Sequence, residues 1–258
     1  MTFQPNPPPP GQPRQLNLKQ MAEQFMAGMQ RHFDMLAFNL VSREAAAESA
    51  YDERAKAVGL MPVASLHRNF EQTQAQARDL LHAQVMNDAM NLAVHCLHNA
   101  HLFLAVIRAN HDRPGQQAAI QEEVNKAQQA FVRAQMDEKF NQLENNYKVM
   151  CPLEDTILSM GFALQAFARQ QGIVREGQID DSGELTFELK HGREGIPLAD
   201  LARPGTDVET VNKVFREGEK IAFSDSELQC LLLTVTAFGQ ELFQSVADYA
   251  RDHRPPQP

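Results

Sequence analysis

His95, His98 and His101 recur every third residue in NLAVHCLHNAHLFLAVIRANH, residues 91–111, a stretch that is otherwise largely apolar. Imidazoles so placed can ligate a metal, carry a proton or pack in a core. On a helix, positions three apart are separated by about 60° around the axis, so the rings fan across about 120° and do not converge on one ion. His101 shares a stripe with Met90, Val94, Leu97 and Leu104 and reads as a core or interface histidine. His95 and His98 instead continue the series Asp88, Asn91, His95, His98 at spacings of three, four and three, a polar stripe on an apolar helix. An unpaired buried polar group costs roughly 1–3 kcal/mol. The stripe is therefore expected to be paired internally, against a neighbouring helix or a second subunit. The alternative is a catalytic cleft in which Asp88, Asn91, His95 and His98 act on a substrate.

Other chemistry is thin. The sequence contains no HExxH and no Glu-x-x-His pair of the di-iron bundle type, so no metal site is expected. It also lacks GxxxxGK[ST], GxGxxG after a strand, and GxSxG, and no cofactor is expected. Cys96 and His98 do not face inward together, which argues against a thiol nucleophile. The densest local basic group is LKHGREG, where Lys190, His191 and Arg193 form a candidate ligand-binding cluster.

These side chains belong to a chain of 258 residues with 43% hydrophobic and 22% charged residues, enough apolar material for a sizeable core. The formal net charge of −9 argues against a broad nucleic-acid surface. The 3 cysteines form no CxxC pair and suggest no disulfide framework, so reduced thiols and a cytoplasmic location are expected. The first twenty residues lack the pattern of a signal peptide. Ala89–Ile107 carries no formal charge, but Asn91, His95, His98, Asn99 and His101 would be expensive in lipid, so no membrane span is expected.

Proline marks the boundaries. Six of the 14 prolines lie in residues 5–13 and three in 255–258, which predicts disordered tails over 1–16 and 254–258 around a single helical domain, 17–253. Leu18, Met21, Phe25, Met29, Phe33, Leu36 and Leu40 define one face of a first helix over 17–58. A second helix is expected from Ser65 as N-cap to Asn110, roughly 65 Å long and apolar on most sides in its second half. Residues 116–147 show two apolar faces offset by a five-residue step, which predicts a bend. A fourth helix starts at Pro152 and ends near Gln171. Seven of the 13 glycines fall in 172–218, so residues 172–223 read as a small β-hairpin and loop subregion. Within it the hairpin is expected over 173–190 with DDSG as its turn, a short helix over 206–218 with a Thr206–Glu209 capping box, and a further short strand at EKIAF. A Ser224–Glu227 capping box opens the last helix. The fold class is thus mainly α: a bundle of long antiparallel helices with a small β-hairpin insertion before the C-terminal helix.

The general layout and the FREGEKIAFSDSELQ lead into the final helix faintly resemble the HEPN ribonucleases, over about the last 100 residues. That family's hallmark is an Arg and a polar residue followed after a gap by a His. The nearest stretches here are RDLLH, Arg78 to His82, and RANH, Arg108 to His111, both with shorter gaps. Two functional expectations stand side by side. One is a non-enzymatic helical interaction or assembly protein, homo-oligomeric and open to a protein partner. The other, implied by the resemblance, is a HEPN-like ribonuclease or other hydrolase acting on RNA through the polar stripe.

Overall fold

The computed structural model describes residues 17–57, 69–192 and 208–253. Helix α1, Leu18–Glu44, starts where the Asn17 side chain accepts the Gln20 N–H at 3.3 Å. The expected single helix over 17–58 is broken at residues 45–47, and α2, Glu48–Ala57, follows. The run REAAAESAYDERAKA has helix propensity but no apolar face, so nothing holds it in line with the core-facing part of α1. Helix α3, Phe70–Asp112, is capped by Asn69, whose side chain accepts the Glu71 N–H at 2.7 Å. Ser65 lies outside the described residues. The bend expected within 116–147 is a full break between α4, Gln117–Arg133, and α5, Met136–Tyr147. Helix α6, Glu154–Gln170, completes the middle of the chain. The last helix, α7, Asp225–Asp252, carries the expected capping box: Ser224 accepts the Glu227 N–H, and Glu227 accepts the Ser224 N–H at 2.7 Å.

Helix α3 is the centre of the bundle. Buried residues run from His82 to Ala109 along it, and it packs on α1, α4, α6 and α7. Contacts of Gly28 with Leu92 and His32 with Asp88 make α1 antiparallel to α3. His101 meeting Gln128, with Ala105 and Ala109 packed on Ile120 and Val124, makes α4 antiparallel too. Helix α7 runs parallel to α3, since His82 meets Phe223 near one end and His111 meets His253 at the other. Phe131, Phe140, Phe187, Phe238, Leu97 and Met160 lie fully inside. Helices α3 and α7 are long and apolar enough to cross a membrane by length and composition, yet both are packing elements of this core.

The β region departs from expectation in its pairing. Strand β1, Glu184–His191, pairs antiparallel with β2, Glu209–Arg216, from Glu184 opposite Arg216 to His191 opposite Glu209. The stretch expected to be a short helix is therefore β2, and Thr206, half of its expected capping box, lies outside the described residues. Thr210, Val211 and Val214 are β-branched, and a ready partner strand outweighs the weak local helix signal. Residues 173–179 do not supply the other arm of the hairpin. Ile173 makes one isolated bridge to Lys220, and residues 176–178 form a 3₁₀ turn. The DDSG stretch is still a turn: the Asp180 carboxylate accepts the N–H groups of Ser182 at 2.8 Å and Glu184 at 3.2 Å, and Gly183 takes φ +80°. EKIAF contributes that one bridge rather than a strand.

Candidate functional site

The polar stripe of α3 does not close on itself. Asn91 and His95 are exposed, Asp88 and His98 are half-buried. The expected internal pairing of all four is therefore corrected. On the 3.6-residue repeat, α4 and α5 cover the side of α3 that holds His101, while among the described residues no helix is laid over the Asn91–His95 side. Asp88 reaches across to His32 of α1, with Nδ1 to Oδ2 at 3.9 Å. His98 stands edge-on to Phe131, centroids 6.0 Å apart, and its Nε2 is buried without a partner. His95 meets His98 only ring to ring, at 6.5 Å.

The organised polar network lies one turn further on. His101, 2% exposed, stacks on Phe131 with centroids 4.0 Å apart and takes Gln128 Oε1 on Nδ1 at 2.6 Å. Gln128 Nε2 donates to the His98 carbonyl at 3.1 Å, so one glutamine ties α4 to two turns of α3. Lys139 is buried beside this network. Its ammonium donates to the carbonyls of Val132 and Ala134, at the C-terminal end of α4, and sits 5.7 Å from the Phe131 ring. A cation there meets the negative end of the helix dipole.

Burial holds the imidazoles of His98 and His101 below the usual histidine range. At His98 the Lys139 charge adds to that, and at His101 the Gln128 contact opposes it. Burial likewise lowers the Lys139 ammonium. These groups hold two helices in register. Sequence reasoning set His101 aside as core and missed Gln128 and Lys139. The five-residue step between the two apolar faces of 116–147 was the available signal, since it places both residues beside the break.

Two of the three residues of the basic cluster, Lys190 and His191, lie at the end of β1. Lys190 is half-buried; its backbone N–H donates to Thr234 Oγ1 at 2.7 Å, and its ammonium reaches Thr210 Oγ1 at 3.4 Å. His191 is exposed, and Arg193 lies outside the described residues. His191 does border a groove of about 310 Å³ between the hairpin and the first turns of α7, shared with Leu189, Val211, Lys213, Glu227 and Cys230. Lys213 and Glu227 form an ion pair at 2.9 Å across it.

Of the two stretches nearest a ribonuclease hallmark, RDLLH places His82 in the core at 1% exposure, edge-on to Phe223, where it cannot meet RNA. In RANH, Arg108 lies over the Tyr147 ring and His111 stands against His253. No group of three or more His, Cys, Asp or Glu side chains able to hold a metal ion occurs among the described residues. The thiols are poor nucleophiles: burial pushes Cys96 well up, and burial with Glu154 and Glu241 pushes Cys151 up to about 12. Comparison of the chain with protein-family models, curated proteins and solved structures finds no match.

Proposed function

We propose that this chain is a helical assembly protein that acts by associating with copies of itself, in the cytoplasm and without a membrane or a bound cofactor. One observation carries the reading. Met35, Phe38 and Val41 of α1 are 53%, 67% and 64% exposed and lie at spacings of three, fanned across about 120° of one side of the helix. Length and apolarity of α3 do not call for an oligomer, because α1, α4, α6 and α7 pack along it and bury its apolar residues from Val85 to Ala109. An unpartnered apolar surface lies on α1. It is self-complementary: an antiparallel two-fold pairing centred on Phe38 lays Met35 of one copy against Val41 of the other, as an isologous interface requires. The free thiols of Cys96, Cys151 and Cys230 agree with a reducing compartment.

Light scattering at micromolar concentration tests the reading. The expected mass exceeds the 29.0 kDa of one chain, and Phe38→Glu lowers it while leaving the melting temperature within a few degrees. A wild-type mass of one chain at every concentration would overturn it.

A further inference from the structure

Two imidazoles meet where α3 and α7 end. His111 lies in the last turn of α3, and His253 is the C-cap of α7. The two helices run parallel, so both C-terminal ends come to the same place. The ring centroids of His111 and His253 are 5.8 Å apart, with the planes crossing at 75°. Each ring is held by its Nδ1. His253 Nδ1 donates to the Tyr249 carbonyl at 2.9 Å, and the ring lies on that of Tyr249 with centroids 3.9 Å apart. His111 Nδ1 donates to the Asp112 carboxylate at 3.3 Å. A carbonyl and a carboxylate only accept, so each neutral ring carries its proton on Nδ1 and its lone pair on Nε2. Neither Nε2 has a hydrogen-bond partner among the described residues.

This is the form in which histidine ligates a metal. An Nδ1–H tied to a carboxylate or a main-chain carbonyl is the usual outer shell of such a ligand. The separation agrees. A Zn–N bond of about 2.0–2.1 Å sets each ring centroid about 3.2 Å from a shared ion, so two rings on one ion stand about 5–6 Å apart. The negative ends of two helix dipoles also favour a cation at this point. His111 is 53% exposed, which leaves water access to the ion.

We propose that His111 and His253 form a two-histidine seat for a zinc-class divalent cation, with water in its remaining positions, that staples the end of α3 to the end of α7. Two protein ligands are fewer than a closed structural centre uses, so the ion exchanges with solvent. It is a structural ion and not the cofactor of a reaction. The expectation of no metal site came from short spacing motifs, and a pair drawn from two helices distant in the chain forms none. Asp112 is a positioning residue: one oxygen orients His111 and the other stands 3.7 Å from Arg108 Nε. The inference does not depend on the assembly reading.

The test titrates zinc chloride into metal-free, full-length protein and follows the heat. One ion per chain is expected. His111→Ala and His253→Ala are each expected to weaken it about tenfold or more, because one imidazole alone loses the chelate. Asp112→Asn keeps both ligands and is expected to weaken it about tenfold through the looser hold on Nδ1. His95→Ala, on an exposed position of the same helix, is expected to change nothing. Imidazole proton NMR finds the site without any substitution: zinc is expected to shift two of the nine histidines, those missing from the spectra of the two single variants. Zinc is also expected to raise the melting temperature of the wild type, reversibly with EDTA, and not that of either variant. Zinc binding that survives both substitutions, shifts confined to other histidines, or no binding at millimolar zinc overturns the site.

Discussion

His101 lies flat on Phe131, with ring centroids 4.0 Å apart and planes within 9° of parallel. The stack joins the central helix α3 to the last turn of α4, and Gln128 pins the imidazole in place from the side. A histidine held in this way is a structural part, and its neighbours two turns earlier on α3 are not.

That contrast is measurable. His101→Ala removes a buried ring and leaves Gln128 without its partner, and is expected to cost about 2–4 kcal/mol. His95→Ala, on an exposed position, is expected to stay within about 0.5 kcal/mol of wild type. Urea unfolding of the two variants side by side decides it, and equal losses would contradict the assignment.

Two close helix approaches differ in how far they can give. A methyl on Gly239 of α7 would overlap the ring of Phe25, which is itself edge-on to Phe243. Gly239→Ala is expected to cost about 1–3 kcal/mol by overpacking. At Gly28 the nearest atom is a terminal methyl of Leu92, 2.9 Å away, at the end of a flexible side chain. Alanine also gains helix propensity there, so Gly28→Ala is expected to stay below about 1 kcal/mol. Thermal melts of both report the difference.

Thr156 of α6 accepts the Glu188 N–H of β1 at 3.0 Å and Thr234 of α7 the Lys190 N–H at 2.7 Å, and removing either hydroxyl has a cost. Thr156→Val and Thr234→Val keep the side-chain shape but leave the N–H of Glu188 or Lys190 unpaired, at about 1–3 kcal/mol each. Hydrogen exchange of those two amides is expected to rise in the matching variant only.

Stability is expected to fall in mild acid. Burial holds His32, His82, His98 and His101 below the ordinary histidine value of 6.5. The unfolded chain regains that value, so below pH 6.5 it binds protons that the folded state refuses, and unfolding is favoured. The contribution is therefore fully present above pH 6.5 and is lost as pH falls through the folded values. Burial raises the Glu154 carboxyl, which acts in the opposite sense nearer its own range. Urea midpoints between about pH 7.5 and 5.5 are expected to drop, with a shallower slope in His82→Leu, and a flat profile would contradict this.

Local chemistry was legible in the residues themselves. Helix faces such as Leu18 to Leu40, the Ser224–Glu227 box, the Asp180 turn and the mainly α class follow from periodicity and capping, which depend on neighbours within about four residues. The centrality of α3 followed from apolarity on most of its sides. What tertiary structure alone decided is which faces are covered. Asn91 and His95 share their helix with His101, and nothing in that helix distinguishes a stripe under α4 from one facing water. Residues 209–216 carry a weak helix signal and a weak strand signal, and the long-range partner β1 settles the contest. Exposure of Phe38 and of Val211 is likewise a matter of where other elements stop. Burial is a relation between distant segments, and a pattern read along one segment contains only its own half of that relation.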